Sequence, residues 1–247
     1  MHLFFFSLFF YAFAQAIGPQ AVLAPAPQPG YADIQATREF WMRRAIAVLE
    51  EQTGSPCPFA AYGAVIVNHT ANACPTAGSD QQTCPPPAGT LVCSAVNAIR
   101  ATGDPTLHGE VAALRACAAD LQRPPHNLSP GAAQRALRGL SLYTTAEPCP
   151  MCAAAARWAG LREVVFGTSM PRLAALGWAQ MDIRAAEVFE RSQGLGVETT
   201  LVSDVLDEET DVYFAWQFVG DSAQKPACPR GCHAARRGDK GWGCQPA

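Results

Sequence analysis

With 247 residues, 49% of them hydrophobic and 16% charged, the chain can build one sizeable core with decorations but is short for two full domains. That balance excludes an intrinsically disordered chain. A net charge of −3 and the lack of a basic stripe give no electrostatic footing for a nucleic-acid partner, which needs several gripped phosphates. No nucleic acid is therefore expected.

Leu3 to Ile17 is strongly apolar and contains small-residue triplets at Ala12-Phe13-Ala14 and Ala14-Gln15-Ala16. An apolar run of about 15 residues before an A-x-A site suits a signal peptide better than a membrane span of about 20. Residues 1–16 are thus expected to be a cleaved signal, leaving a secreted chain with no membrane contact. The charged segment that usually precedes such a run is nearly missing, so a retained anchor is the alternative. Residues 17–36, rich in Pro, Ala and Gln, read as a linker.

Arg38 to Gln52 carries apolar residues at Phe40, Trp41, Ile46, Val48 and Leu49, the pattern of an amphipathic helix stopped by Gly54 and Pro56. Tyr62 to Val67 and Leu91 to Ala98 read as strands, separated by a Pro- and Thr-containing loop over 68–89 that Cys74 and Cys84 could staple. If Asn97 points to one face, Ala95, Cys93 and Leu91 share it. Asp104-Pro105 looks like an N-cap followed by proline at the first position, opening a helix to about Leu121. A Pro-rich excursion fills 122–138. Leu140 to Thr145 is expected to be a strand, Cys149 to Trp158 a helix, Arg162 to Thr168 a strand, 182–193 a helix, Glu198 to Val202 a short strand and 207–218 a helix. The alternation predicts a single layered α/β domain over 37–220. A Cys-rich tail follows over 221–247, too short and polar to fold by burial alone.

Ten cysteines are present, and the eight outside Cys149-Pro150-Met151-Cys152 are an even number, as disulfides require. Two sequons, Asn68-His69-Thr70 and Asn127-Leu128-Ser129, fit glycosylated surface loops. With the N-terminal signal, these features point to an oxidising compartment. Cys228, Cys232, His233 and Cys244 could hold a second zinc, although disulfides suit that compartment better. One pairing follows from dimensions. Cys93 lies about 13 Å back from Asn97 along a strand, and Cys117 about 10 Å beyond Glu110 along a helix. If Asn97 and Glu110 flank one site, Cys93 and Cys117 can bond; two buried thiols are the alternative.

Two segments carry chemistry: Asp104-Pro105-Thr106-Leu107-His108-Gly109-Glu110 and Thr145-Ala146-Glu147-Pro148-Cys149-Pro150-Met151-Cys152. One imidazole and two thiolates are three ligands for Zn²⁺, with a fourth position left open. Cys149 and Cys152, three apart at a helix start, can face one point, and the helix N-terminus favours their thiolates. Glu110, two residues beyond His108, need not be a ligand and can move protons as a general acid/base. The bland readings are a closed structural zinc site, for which no fourth ligand is placed, or a Cys149–Cys152 disulfide.

His108-Gly109-Glu110 with Pro148-Cys149-Pro150-Met151-Cys152 resembles the H-x-E and P-C-x-x-C signature of the zinc-dependent cytidine/deoxycytidylate deaminase superfamily. The closest branch is that of the guanine deaminases and tRNA adenosine deaminases, through Asn97, Asp104-Pro105-Thr106 and Glu147. Resemblance runs from about Arg38 to Phe218 and includes Pro58-Phe59, Gly63-Ala64-Val65-Ile66-Val67 and Trp158-Ala159. It implies a three-layer α/β/α cytidine deaminase-like fold with a mixed sheet of about five strands. It further implies zinc on His108, Cys149 and Cys152, with Glu110 as proton shuttle. Asn97 would hydrogen-bond the base or its sugar, and Phe59 and Trp158 would form the wall on which a planar base stacks. The implied activity is hydrolytic deamination of a small nucleobase or nucleoside, guanine or a related base before others. An RNA adenosine deaminase or a non-catalytic secreted scaffold are the alternatives. The resemblance also implies pairing as a homodimer, for which the sequence itself displays no interface.

Overall fold

The computed structural model describes residues 31–69 and 89–218, together with the backbone of 232–234 and 242–244. The apolar N-terminal run, Cys74, Cys84 and Cys228 lie outside the described residues.

In α1 (Tyr31–Thr53) the buried residues Trp41, Met42, Ala45, Val48 and Leu49 recur at helical spacing. The helix begins inside the segment expected to be a linker. The chain then forms an antiparallel pair, β1 (Gly63–Asn68) and β2 (Thr90–Val96). After a single turn, α2 (Ile99–Thr102), come α3 (Gly109–Asp120) and α4 (Pro130–Leu137). The remainder alternates: β3 (Leu140–Ala146), α5 (Pro150–Ala159), β4 (Glu163–Thr168), α6 (Met170–Ala175), α7 (Ala185–Arg191), β5 (Thr200–Val202) and α8 (Asp207–Ala215). Strands β6 (Cys232–Ala234) and β7 (Trp242–Cys244) form a separate antiparallel pair with Cys232 opposite Cys244.

The sheet order is β2-β1-β3-β4-β5, with β1 antiparallel to both its neighbours and β3, β4 and β5 parallel. All seven residues of the central β3 are buried, as a strand covered on both faces requires. Ala64, Ile66, Leu142 and Val164 pack on one face under α3, α4, α5 and α7. Val65, Val67, Tyr143 and Val165 pack on the other under α1. The three-layer α/β/α architecture is therefore the one expected.

Three local expectations are corrected. Asp104 does not cap a helix: its Oδ1 accepts hydrogen bonds from the Thr106 amide (2.9 Å) and hydroxyl (2.6 Å), closing a turn, and α3 starts only at Gly109. The stretch 122–138 contains α4, whose cap Ser129 accepts from Ala132 N at 3.4 Å and is followed by Pro130. In β2 the register shifts between Cys93 and Leu91. This bulge breaks the alternation: Cys93 and Ala95 are buried while Leu91 is exposed. Cys93 is bonded to Cys117 of α3 with a Cα–Cα separation of 5.3 Å, tying the edge strand to the helix above it. Cys57 is also disulfide-bonded. Among the described residues no helix is long and apolar enough to cross a membrane.

Candidate functional site

Because β1 runs against both neighbours, its start meets the ends of β2 and β3. Thr145 Oγ1 fixes this junction, accepting from Gly63 N (3.0 Å) and donating to Ala61 O (2.8 Å). Asn97, just past β2, donates its amide to Tyr62 O (2.9 Å), just before β1. Helices α3 and α5 start over this junction, where an α/β sheet ordinarily presents its ligand.

His108 is the N-cap of α3 (φ −64°, ψ 160°) and Cys149 the N-cap of α5 (φ −62°, ψ 166°). The two extended caps turn their side chains together. His108 Nδ1 lies 3.5 Å from Cys149 Sγ, and Cys149 Sγ lies 3.6 Å from Cys152 Sγ. The ligand atoms of all three fall within 4.8 Å of one another. Tetrahedral nitrogen and sulfur ligands of zinc stand roughly 3.5–3.8 Å apart, so the donor set fits that metal. Cys149 and Cys152 are free thiols, which removes the disulfide reading. Among the described residues the cluster has three members, leaving a fourth position open.

Glu110 follows in the first turn of α3. It is 2% exposed, and its Oε2 makes no hydrogen bond to the protein. Burial pushes its carboxyl up to about 7, with the Cys149 charge adding to the rise and His108 opposing it. Cys149 is drawn down to about 4 by the hydrogen bond from Cys152, helped by His108. The arrangement therefore combines a soft metal cradle with a carboxyl that can hold or release a proton near neutrality.

The supports are equally specific. A Cβ on Gly109 would lie 2.5 Å from Tyr62 O, so only glycine lets α3 start this close to the strand junction. Glu147, 3% exposed, accepts from Met170 N (2.8 Å), Ala185 N (2.9 Å) and Arg184 Nε (2.8 Å). One carboxylate thus caps the starts of α6 and α7 and anchors the chain two residues before Cys149.

Of the residues expected at the site, His108, Glu110, Cys149 and Cys152 come together. Asn97 flanks them: its amide nitrogen is 3.6 Å from the Cβ position of Gly109, and its Oδ1 accepts from Ile99 N at 3.2 Å. Phe59 is 53% exposed, with the Arg100 guanidinium 4.1 Å over its ring and Trp178 at 5.3 Å. It is not among the ligands, and its neighbour Trp178 also packs on Tyr62 (5.9 Å). Trp158 is not a wall of this site. It is 73% exposed, and nine residues along α5 from Cys149 it points to the opposite side, about 13 Å further on.

The sequence reading missed Tyr62, which it used only as the start of a strand. Its carbonyl touches α3, and its ring packs against Phe214 (5.0 Å) and Trp178 (5.9 Å). Its position immediately before Gly63 was the available signal. Glu147 was visible within the cysteine motif, but its partners come from segments 23 and 38 residues away.

The family model for the cytidine and deoxycytidylate deaminase zinc-binding region matches residues 35–168. A tRNA(Ile)-lysidine synthase from Deinococcus deserti is 43% identical over 91 residues, 37% of this chain and 15% of that protein. A tRNA-specific adenosine deaminase from Agrobacterium fabrum is 35% identical over 85 residues (34% of this chain, 48% of that one). A guanine deaminase from Bacillus subtilis is 33% identical over 90 residues (36% and 51%). The chain spans about half the length, or less, of these curated relatives. A solved guanine deaminase from Nitrosomonas europaea shares the fold at 17% identity, with a TM-score of 0.51 over 77% of this chain and 94% of that one.

Proposed function

Since the chain belongs to the cytidine and deoxycytidylate deaminase zinc-binding family, we propose that it hydrolytically deaminates a small nucleobase or nucleoside, with guanine or a related base as the substrate. The observation that carries this reading is the buried, unpartnered Oε2 of Glu110 beside three convergent metal ligands. A structural zinc site has no use for such a carboxyl, one oxygen of which is buried without a hydrogen bond at a cost in stability.

His108, Cys149 and Cys152 would hold Zn²⁺, which when bound supplies a Lewis acid that brings the pKa of water towards neutrality. Glu110 takes the proton released as the water oxygen bonds to the ring carbon carrying the exocyclic amine. It hands that proton to the neighbouring ring nitrogen as the carbon–nitrogen double bond of the ring opens, then carries the oxygen's remaining proton to the amine. The bond to the amine breaks, ammonia leaves and a carbonyl beside a ring N–H remains. Asn97, fixed by its own backbone amide, keeps its side-chain NH₂ available to the base or sugar. The similarity to a guanine deaminase supports the choice of base. Placement in an oxidising compartment is supported by the Cys93–Cys117 disulfide and by the bonded Cys57.

The test is ammonia release from guanine, adenine, cytosine and their nucleosides by the purified full chain, with zinc quantified. Glu110→Gln is expected to keep the metal and lose about 10²–10⁴-fold in turnover, while Cys149→Ala loses both. Turnover that survives Glu110→Gln, or zinc that survives Cys149→Ala, would overturn the assignment.

A further inference from the structure

We propose that Tyr62 and Gln180 select the substrate of this site by reading the lactam edge of a 2-amino-4-oxopyrimidine ring. The proposal rests on the deaminase reading and names the feature by which the site would tell one base from another.

Tyr62 is held in place at both ends. Its carbonyl accepts the Asn97 amide and abuts the start of α3, and its ring is packed against Phe214 and Trp178. Trp178 is itself fixed by an indole hydrogen bond to Phe214 O (3.1 Å). Tyr62 stands against Gly109, between His108 and Glu110, and burial raises its phenol well above the ordinary tyrosine value. It therefore stays protonated, a donor beside the metal cradle.

Gln180, on the segment between α6 and α7, donates its side-chain NH₂ to the Tyr62 hydroxyl oxygen at 3.4 Å. That contact leaves the hydroxyl hydrogen free to donate and the Gln180 carbonyl oxygen free to accept. A donor next to an acceptor complements a ring carbonyl next to a ring N–H. In guanine the carbon bearing the amine is flanked by that N–H, and the carbonyl follows one atom further. Adenine presents a bare ring nitrogen and a C–H in the corresponding places. Cytosine presents a bare nitrogen that would face the Gln180 oxygen lone pairs. A site built to hydrogen-bond such groups discriminates far more sharply than an apolar slot, because mismatched bases leave its polar atoms unpaired.

The experiment compares kcat/KM for guanine, isocytosine, 2-aminopurine, adenine and cytosine in the wild type, Tyr62→Phe and Gln180→Leu, with zinc content measured for each. Isocytosine keeps the lactam and amidine in a single ring; 2-aminopurine keeps the amine but lacks the carbonyl. The wild type is expected to favour guanine and isocytosine. Each substitution should lower kcat/KM for those two by about tenfold, chiefly through KM, while 2-aminopurine changes by less than about twofold and zinc stays bound. Preference for adenine or cytosine overturns the proposal, as does a uniform loss across all five bases. Silence of the wild type on every base, with zinc bound, removes the deaminase reading and this proposal with it. The first two outcomes leave that reading standing.

Discussion

Replacing Gly109 by alanine adds one methyl group where the structure has no room for it. The new Cβ would lie 2.5 Å from Tyr62 O and 3.2 Å from Tyr62 C, both backbone atoms. The oxygen contact is about 0.9 Å inside ordinary van der Waals separation. Tyr62 O cannot simply retreat, because it accepts the Asn97 amide at 2.9 Å. Overpacking of this kind costs about 1–3 kcal/mol, while alanine's better helix propensity returns at most about 1 kcal/mol. With that gain subtracted in full the net loss is up to about 2 kcal/mol, a fall in Tm of up to roughly 8 °C for a chain of this size. The larger effect is on rate. Residue 109 stands between His108 and Glu110, so relief of the clash by a shift approaching 1 Å displaces metal ligand and proton carrier together. Misplacement on that scale costs about 10²-fold. Steady-state kinetics, zinc stoichiometry and a thermal melt on Gly109→Ala read all three quantities. Unchanged kcat and Tm would refute the argument, showing that the strand junction can yield without disturbing the site.

Glu147→Ala removes the acceptor of two amides from a position 3% exposed, while its partner Arg184 is 40% exposed and stays solvated. It should cost about 2–4 kcal/mol, set by the two orphaned amides. A urea denaturation showing less than about 1 kcal/mol would mean that water replaces the carboxylate. The double variant Cys93→Ala with Cys117→Ala opens a crosslink spanning 24 residues. Its denaturation midpoint should correspond to a loss of about 3 kcal/mol, and zinc binding should persist. Trp158→Ala should leave kcat/KM within about twofold, since an exposed side chain on the far face of α5 makes little difference; a tenfold rise in KM would restore the stacking role.

The metal ligands were readable in the sequence because both chemistry-bearing segments are short and each ends at a helix start, so spacing alone sets the convergence of Cys149 and Cys152. The Cys93–Cys117 bond followed from the rise of a strand and the rise of a helix, both regular between their anchors. Trp158 is half a revolution from Cys149 along α5, so the helical phase already set it opposite the ligands, and its exposure agrees; the stacking role came from the resemblance and not from that phase. Tertiary placement was not readable in the same way. Asp104-Pro105 and Ser129-Pro130 carry the same start signal. Only the second opens a helix, because the Asp104 carboxylate is engaged by Thr106 and the chain has a sharper cap waiting at His108. The bulge in β2 likewise left no local mark, and it moved Leu91 out of the face expected for it. Tyr62 escaped notice because its role comes from contacts with α3 and α8, far along the chain.

His108 and Cys149 both occupy cap positions, and neither side chain caps its helix. Serine or aspartate there would add about 1 kcal/mol to each helix. The resting protein thus forgoes local stability at the two places where its chemistry begins, and a bound ion restores it by tying the same two helix starts together. A descendant released from turnover would gain by drifting to Ser or Asp at 108 and 149. Those two positions are therefore where loss of activity in a relative would first be written, before any change to the core beneath them.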